Sequence, residues 1–265
     1  MNRIDSTFMR LRHAKQKALI VYLMGGDPDL AVTESLILNV ARGGADVVEI
    51  GLPFSDPMAE GTVIQAASQR SLAKGYSFED FLQMVRRVRE KVDIPLLLMN
   101  YYNLVLNQGE EAFISKAAQV GIDGLIVPDL PMEEATSLSQ SATGHGLHLI
   151  SFLAPTSRSR TSKLIDNATG FLYCISSRGV TGARQSFSND AEEYFEQIAK
   201  ITSIPTAIGF GIGSPEQAGQ VMQYADGVIV GSALVEAIAQ VTGSAAKCRQ
   251  AFTFCQAFSK VVHRG

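Results

Sequence analysis

The sequence predicts a single (β/α)₈ barrel, the TIM-barrel architecture of the α/β class, with extra short helices. Two observations carry this prediction: eight short apolar segments recur along the 265 residues, and stretches with helical periodicity separate them. Apolar runs without strict polar alternation are typical of parallel strands that are buried on both faces. Eight such βα units over this length favour a closed barrel. We therefore expect residues 1–265 to form one domain.

The eight predicted strands are spaced widely enough for a helix between neighbours. Apolar residues recur every third or fourth position within 78–88, as an amphipathic helix requires. Asp46, Asp123 and Asp226 each precede a run of small and apolar residues at a strand entry, which is a weak internal repeat. The stretch 245–262 predicts a closing helix whose Cys248 and Cys255 belong to the core. The predicted strands are residues 19–24, 46–50, 96–99, 124–127, 147–153, 170–175, 206–208 and 227–230.

Composition excludes several classes of protein. Hydrophobic residues make up 46% and charged residues 18%, which excludes general disorder. A net charge of −3 gives no broad electrostatic attraction for nucleic acid or anionic membranes. The apolar run 18–24 ends in a turn and is far shorter than the roughly 20 residues of a spanning helix, so we expect no targeting or membrane segment. Three cysteines without paired spacing argue against disulfides or a zinc site and indicate a reducing cytoplasm.

Glycine-rich loops follow the last three predicted strands, at residues 179–182, 209–213 and 231–233. Glycine lets backbone N–H groups approach an anion, and a helix N-terminus adds a favourable dipole. Each loop taken alone is explained as a simple turn. Because barrels bind phosphate at the loops after strands seven and eight, the three loops together predict a phosphate site.

Glu49 lies within an otherwise apolar strand, at the end where barrels carry their catalytic groups. A buried carboxyl group either finds a hydrogen-bond donor or has a raised pKa, which suits proton transfer. We favour the second interpretation. The loop that follows brings Asp56 and Glu60 near the same rim, whereas Asp129 lies in a turn where a structural role is more usual.

Lysine and metal chemistry find little support. None of the nine lysines ends a predicted strand, which argues against a Schiff-base aldolase. His145 and His148 lie close together in the sequence but at the opposite end of strand five, so no metal site is expected. Carbon–carbon cleavage with carboxylates alone needs a substrate that accepts its own electrons, such as a protonatable aromatic ring.

Several ordered motifs closely resemble the alpha subunit of tryptophan synthase over about residues 8–239. The most specific is Glu-Ile-Gly-Leu-Pro-Phe-Ser-Asp-Pro at 49–57, continuing to Gly61 and 63–65. Supporting motifs lie at 26–28, 101–103, Val127 with 129–131, 179–182, 209–212 and 231–233.

The resemblance implies cleavage of indole-3-glycerol phosphate to indole and glyceraldehyde 3-phosphate. It also implies an α₂β₂ complex with a beta subunit that carries pyridoxal phosphate, and no cofactor in this chain. Glu49 is then the general acid that protonates indole C3. The remaining implied roles are an indole pocket at Tyr22 and Val127, a neighbouring substrate pocket at Tyr173, a mobile loop with Thr181, phosphate binding at Gly182, Gly211, Gly231 and Ser232, and partner contact at Pro53, Asp56 and Pro57.

Two departures from the family pattern lie beside the chemistry. Glu60 replaces an Asp that accepts the indole N–H, and Arg178 is displaced by one position before the glycine loop. A misplacement of about 1 Å can cost ~10²-fold in rate. The sequence therefore leaves open an active lyase with a repacked site and a weakened or inactive subunit that activates its beta partner. Another phosphate-binding barrel enzyme is a third alternative, which the missing strand-end lysine disfavours.

Overall fold

The computed structural model describes residues 1–175, 189–209 and 211–264. Its strands confirm the predicted ones to within two residues, with one exception at the fifth. Seven of the eight predicted strands are continuous, whereas 147–153 is interrupted at Ile150. The strands are β1 Ala18–Met24, β2 Val47–Gly51, β3 Leu96–Met99, β4 Gly124–Ile126, β5 His148–Leu149, β6 Ser151–Leu153, β7 Leu172–Ile175, β8 Thr206–Gly209 and β9 Gly227–Val230.

Helices follow the strands as the periodicity predicts. Short additional helices lie in the loops after several strands, and a 3₁₀ helix covers Pro155–Arg160. The α-helices of the described residues are α1 Arg3–His13, α2 Leu30–Arg42, α3 Thr62–Leu72, α4 Phe78–Arg89, α5 Tyr102–Gln108, α6 Glu110–Gln119, α7 Thr136–Gly144, α8 Thr161–Asp166, α9 Asn189–Ile201, α10 Pro215–Val221, α11 Ser232–Ala239 and α12 Ser244–Val262.

All strand pairs in the sheet are parallel, in the order β5-β4-β3-β2-β1-β9-β8-β7-β6. The two strands at the ends of this order are halves of one strand, because only Ile150 separates β5 from β6. The Ile150 N–H still donates to the carbonyl of Leu125, at 2.9 Å. The sheet is therefore a nearly closed barrel, and the predicted fold class is confirmed.

The repeated Asp before three strands has a structural cause. The carboxylate of Asp46 accepts the N–H of Leu19, and that of Asp123 accepts the N–H of Leu96, at 3.0 and 2.9 Å. Asp226 does the same for Thr206, at 3.0 Å. Each carboxylate thus joins the beginnings of two neighbouring strands at the amino-terminal end of the barrel.

Helix α1 closes that same end of the barrel. Its Ile4, Phe8 and Leu11 are buried in a cluster with inward-facing strand residues, and Phe8 packs against Phe171 at 5.6 Å between ring centres. Helix α12 packs along the outside, where Cys255 is buried and Cys248 is half-buried against the core, as predicted. The amino-terminal end is thereby filled, and the opposite end is left for ligands. No helix in the described part of the chain is long and apolar enough to cross a membrane.

Candidate active site

A cavity of about 330 Å³ lies at the carboxyl ends of the strands. It brings together residues from six predicted strands and loops that are far apart in sequence. The predicted site residues that line it are Tyr22, Glu49, Glu60, Tyr173, Gly211, Gly231 and Ser232.

Glu49 projects from β2 and is 1% exposed. In the strand register it lies beside Tyr22 of β1 and Leu97 of β3. Its Oε1 atom has no hydrogen-bond partner among the described residues. The first of the two sequence-based interpretations, a carboxyl group that has found a hydrogen-bond donor, therefore does not hold for this oxygen. Burial raises the pKa of the Glu49 carboxyl to about 8, which keeps it protonated at neutral pH. The Glu49 carboxyl group can therefore donate a proton at neutral pH to a ligand that enters the cavity.

Glu60 lines the same cavity from the loop after β2 and is also buried. Its carboxylate accepts a hydrogen bond from the hydroxyl of Tyr101, and that hydroxyl accepts the N–H of Ala59 at 2.9 Å. The Gln65 side-chain amide donates to the Glu60 backbone carbonyl at 3.0 Å. Burial raises the pKa of the Glu60 carboxyl, and the bond from Tyr101 opposes that rise. The two glutamates therefore differ, because Glu60 accepts a hydrogen bond from Tyr101, whereas Glu49 Oε1 has no partner in the part of the chain that the structure describes.

Two tyrosines form walls of the cavity, and two glycines make room for them. A Cβ atom on Gly51 would lie 2.0 Å from the Tyr22 hydroxyl, and one on Gly209 would lie 2.7 Å from the Tyr173 ring. Burial raises the pKa of both phenols well above the ordinary value, helped by the carboxylates of Glu60 and Glu49 at Tyr22 and by that of Glu49 at Tyr173. Both hydroxyls are therefore neutral and act as apolar or donor surface.

Val127 lies in an adjoining cavity of about 540 Å³ rather than in the one that contains Glu49. Ala59, Met99 and Tyr173 line both cavities. The residues predicted for one aromatic pocket are therefore distributed over two neighbouring cavities that share a wall.

The beginnings of α10 and α11 differ in a way that bears on anion binding. At α10, the Gln217 side chain accepts the N–H groups of Gly213 and Ser214, at 2.7 and 3.2 Å. Helix α11 begins at Ser232 after Gly231 and has no side-chain cap. Since Gly231 and Ser232 both line the cavity, the positive end of α11 faces a ligand space.

The predicted partner contact lies on the loop after β2. Pro53 and Pro57 are half-buried, whereas Asp56 is exposed. Met58 in the same loop is 82% exposed, which is unusual for a large apolar side chain. Met58 was not singled out from the sequence. The available signal was an apolar residue directly after Pro57 in a loop of prolines and carboxylates.

Other candidates are placed outside the cavity or outside the described residues. Thr181 and Gly182 belong to the latter group, as does the shifted Arg178. The Asp129 carboxylate accepts the N–H of Tyr102, which is the structural role that its turn indicates. The described residues contain no cluster of three or more His, Cys, Asp or Glu side chains that could hold a metal.

Two histidines and one tyrosine make contacts that the sequence did not indicate. His145 pairs with Glu111 and His148 with Asp5, so both are used in surface contacts. Tyr101 was noted as part of a motif but without a role, and its bond to Glu60 appears only in the structure. Its position just after β3, at the catalytic end, was the signal that could have identified it.

Fold and site together define the class of protein: a (β/α)₈-barrel enzyme with a pair of buried carboxyl groups in one cavity at the carboxyl ends of its strands. The family model for the tryptophan synthase alpha chain matches residues 8–263. The chain belongs to this family.

Relatives and solved structures agree with that assignment. The tryptophan synthase alpha chain of Thermoanaerobacter pseudethanolicus is 46% identical over 240 residues, covering 91% of this chain and 92% of that protein. The structure of subunit alpha from Legionella pneumophila has a TM-score of 0.89 at 36% identity and covers 99% of this chain and 98% of that one. A chain of Mycobacterium tuberculosis tryptophan synthase has a TM-score of 0.90 at 34% identity, covering 100% and 99%.

Family membership establishes the activity at a general level. The chain is a tryptophan synthase alpha subunit of tryptophan biosynthesis and a carbon–carbon lyase. Alpha chains of this family use no cofactor, and pyridoxal phosphate belongs to the beta subunit with which homologues form a complex.

Proposed function

We propose that the described cavity cleaves indole-3-glycerol phosphate to indole and glyceraldehyde 3-phosphate by acid–base catalysis. One observation carries the proposal above all others. Glu49 is buried, its Oε1 has no partner within the described ranges, and its pKa is about 8, in the same cavity as Glu60 and the uncapped start of α11. A neutral acid, a carboxylate and an anion site are the three groups that the reaction needs.

The proton movements balance without any further reagent. Protonated Glu49 delivers its proton to indole C3, while the Glu60 carboxylate accepts the indole N–H and favours the electron flow from nitrogen to the ring. The resulting Glu49 carboxylate removes the proton of the hydroxyl next to the ring. The carbon–carbon bond then breaks, the aldehyde forms, and the electron pair returns to the aromatic ring. Glu49 therefore acts first as acid and then as base.

Substrate binding follows from the two ends of the site. Gly211, Gly231 and Ser232 hold the phosphate with backbone N–H groups and the α11 dipole. Tyr22, Tyr173 and, from the adjoining cavity, Val127 contact the aromatic portion. Thr181 as part of a closing loop, and Gly182 as a further phosphate contact, remain predictions from the motif.

The loop with Pro53, Asp56 and Pro57 forms the contact with the beta subunit in an α₂β₂ complex. Its exposed Met58 and the exposed charge of Asp56 support this assignment. A cytoplasmic setting is consistent with three free cysteines, two of which are buried.

A second candidate is an alpha subunit with reduced or no lyase activity that still activates its beta partner. The observation that favours it is the longer Glu60 side chain, whose carboxylate is already bound by Tyr101. Reduced activity follows if that bond draws the carboxylate away from the indole nitrogen.

Indole release from indole-3-glycerol phosphate separates the two candidates. The assay uses the complex with the beta subunit and compares the wild type with Glu60→Asp. The lyase proposal predicts release by the wild type and no large gain in the variant. A large gain in the variant supports the weakened subunit, and absence of indole from both supports a purely activating role.

A further inference from the structure

We propose that Tyr101 is a positioning residue for Glu60: its hydroxyl holds the carboxylate at the active-site cavity in the orientation that the lyase reaction uses. The inference rests on the proposed function and adds a residue to it. Glu60 is flexible by nature, since a glutamate carboxylate is free to rotate about three side-chain bonds. Ordering it requires a partner that is itself fixed.

Tyr101 is fixed by its surroundings. The residue is 3% exposed, and its ring stacks on Phe54 with 4.8 Å between ring centres and 19° between planes. Phe54 is held in turn by the buried Ser68, whose hydroxyl accepts the Phe54 N–H and donates to the Phe54 carbonyl, both at 2.9 Å. The Tyr101 ring therefore cannot move without disturbing these contacts.

The direction of the Tyr101 hydrogen bonds is also determined. Ala59 donates its N–H to the Tyr101 oxygen, so the hydroxyl hydrogen is left for another acceptor, which is Glu60 Oε2. Burial and the bond to Glu60 raise the pKa of the Tyr101 phenol well above its ordinary value, so it remains a donor across the working range of the enzyme. A neutral donor of this kind favours the ionised form of Glu60, the form that accepts the indole N–H.

Tyr102 offers a matched control. Its hydroxyl also donates to a glutamate carboxylate, that of Glu110, but neither residue lines the cavity with Glu49. Tyr101→Phe and Tyr102→Phe each remove one hydroxyl that donates to a glutamate and keep the ring; Tyr101→Phe also removes the acceptor of the Ala59 N–H.

The experiment measures indole release by the complex with the beta subunit between pH 5 and 10. Tyr101→Phe is expected to lower kcat/KM about tenfold, the usual effect of one hydrogen bond to a charged group. The acid limb of its pH profile moves to higher pH, because Glu60 loses a donor that stabilises its ionised form. KM changes less than about twofold, and Tyr102→Phe matches the wild type in all three quantities. An unmoved acid limb in Tyr101→Phe overturns the proposal.

A second background tests the geometry. Glu60→Asp shortens the side chain by one methylene, which moves the carboxylate away from the Tyr101 hydroxyl by about 1 Å and is expected to weaken their hydrogen bond. Tyr101→Phe then costs about twofold or less in the Glu60→Asp background. An equal loss in both backgrounds indicates that Tyr101 acts only by packing, and contradicts the proposal.

Two further variants keep the test decisive. If Tyr101→Phe fails to fold, 3-fluorotyrosine at position 101 strengthens the donor, and the acid limb must move to lower pH; an unmoved limb counts against the proposal. Glu60→Gln distinguishes a failure of the proposed role of Glu60 in the reaction from a failure of the positioning role of Tyr101. Full activity in Glu60→Gln refutes the role of Glu60 in the proposed function itself. Its inactivity, with wild-type behaviour in Tyr101→Phe, refutes the positioning role alone.

Discussion

Glu49 of β2 and Tyr22 of β1 lie side by side in the strand register, and both are almost completely buried. The neighbouring tyrosine does not donate to Glu49: its hydroxyl is 3.9 Å from the sulfur of Met24, and Glu49 Oε1 has no partner among the described residues. The Tyr22 ring thus lies beside the buried Glu49 carboxyl group without donating a hydrogen bond to it. This arrangement provides a proton donor at neutral pH, and it has a cost in stability.

That cost gives the first prediction, for Glu49→Gln. The folded-state pKa of about 8 exceeds the ordinary 4.5, so the folded protein retains a proton that the unfolded chain releases. The contribution of Glu49 to the free energy of unfolding is therefore complete below about pH 4.5 and is lost as the pH rises to about 8. Gln does not titrate. The free energy of unfolding of the variant, relative to that of the wild type, should therefore rise by on the order of a few kcal/mol between pH 5 and 8.

Denaturant unfolding at pH 5, 6.5 and 8 measures this difference. Glu196→Gln, on an exposed position of α9, is the control, and it should follow the wild type at every pH. Parallel pH dependence of Glu49→Gln and the wild type would contradict a buried, neutral Glu49.

The second prediction concerns the space that Gly51 leaves for Tyr22. Gly51→Ala places a Cβ atom 2.0 Å from the Tyr22 hydroxyl, so the ring must move into the cavity. We expect kcat/KM for indole release to fall by about tenfold or more, with partial recovery in Gly51→Ala/Tyr22→Phe, which lacks the closest atom. Gly144→Ala is the control, because nothing lies within 4 Å of the added atom and the position is exposed. Wild-type kinetics in Gly51→Ala would refute the close contact.

The third prediction separates stability from function at the amino-terminal end of the barrel. Asp123 accepts the Leu96 N–H and pairs with Arg89, whose side chain is 12% exposed. Asp123→Ala leaves both groups without this partner and should cost about 3 kcal/mol in the free energy of unfolding. Indole release per folded molecule should stay at the wild-type value. Asp166→Ala, at an exposed position of α8, should change neither quantity; a selective loss of kcat in Asp123→Ala is the opposing outcome.

The fourth prediction concerns the charge around the proposed phosphate site. Glu236 of α11 is exposed but lines the same cavity as Gly231 and Ser232, so it repels a phosphate dianion there. Glu236→Gln should lower KM by about twofold at low salt, and the difference should shrink at high salt as the charge is screened. Glu216→Gln, in the first turn of α10 and outside the cavity lining, is the matched control. A higher KM in Glu236→Gln would place the phosphate elsewhere.

Part of this site could be predicted from the sequence because the barrel determines where strand ends lie. A glutamate within an apolar strand, and glycines after the last strands, meet at one rim in any closed parallel barrel. For this reason Glu49, Gly211, Gly231 and Ser232 were predicted and are found around one cavity.

Other features depend on contacts that no local pattern contains. The bond between Tyr101 and Glu60 joins residues 41 positions apart. It depends on the contacts of Phe54 with Tyr101 and with Ser68, which determine the path of the segment that contains Glu60. The interruption at Ile150 was missed because the run 147–153 is apolar throughout most of its length, whereas pairing is decided by neighbouring strands. The position of Val127 also depends on such contacts, because Met99 and Tyr173 lie between its cavity and the cavity that contains Glu49.

The fifth prediction is the most direct test, because the proposed reaction depends on proton donation from Glu49. Indole release from indole-3-glycerol phosphate is measured for the wild type and Glu49→Gln, each bound to the beta subunit, with inorganic phosphate binding as the control for an intact site. We expect release to fall by about 10³-fold in the variant while phosphate affinity is unchanged. Indole release by Glu49→Gln at the wild-type rate would contradict the account.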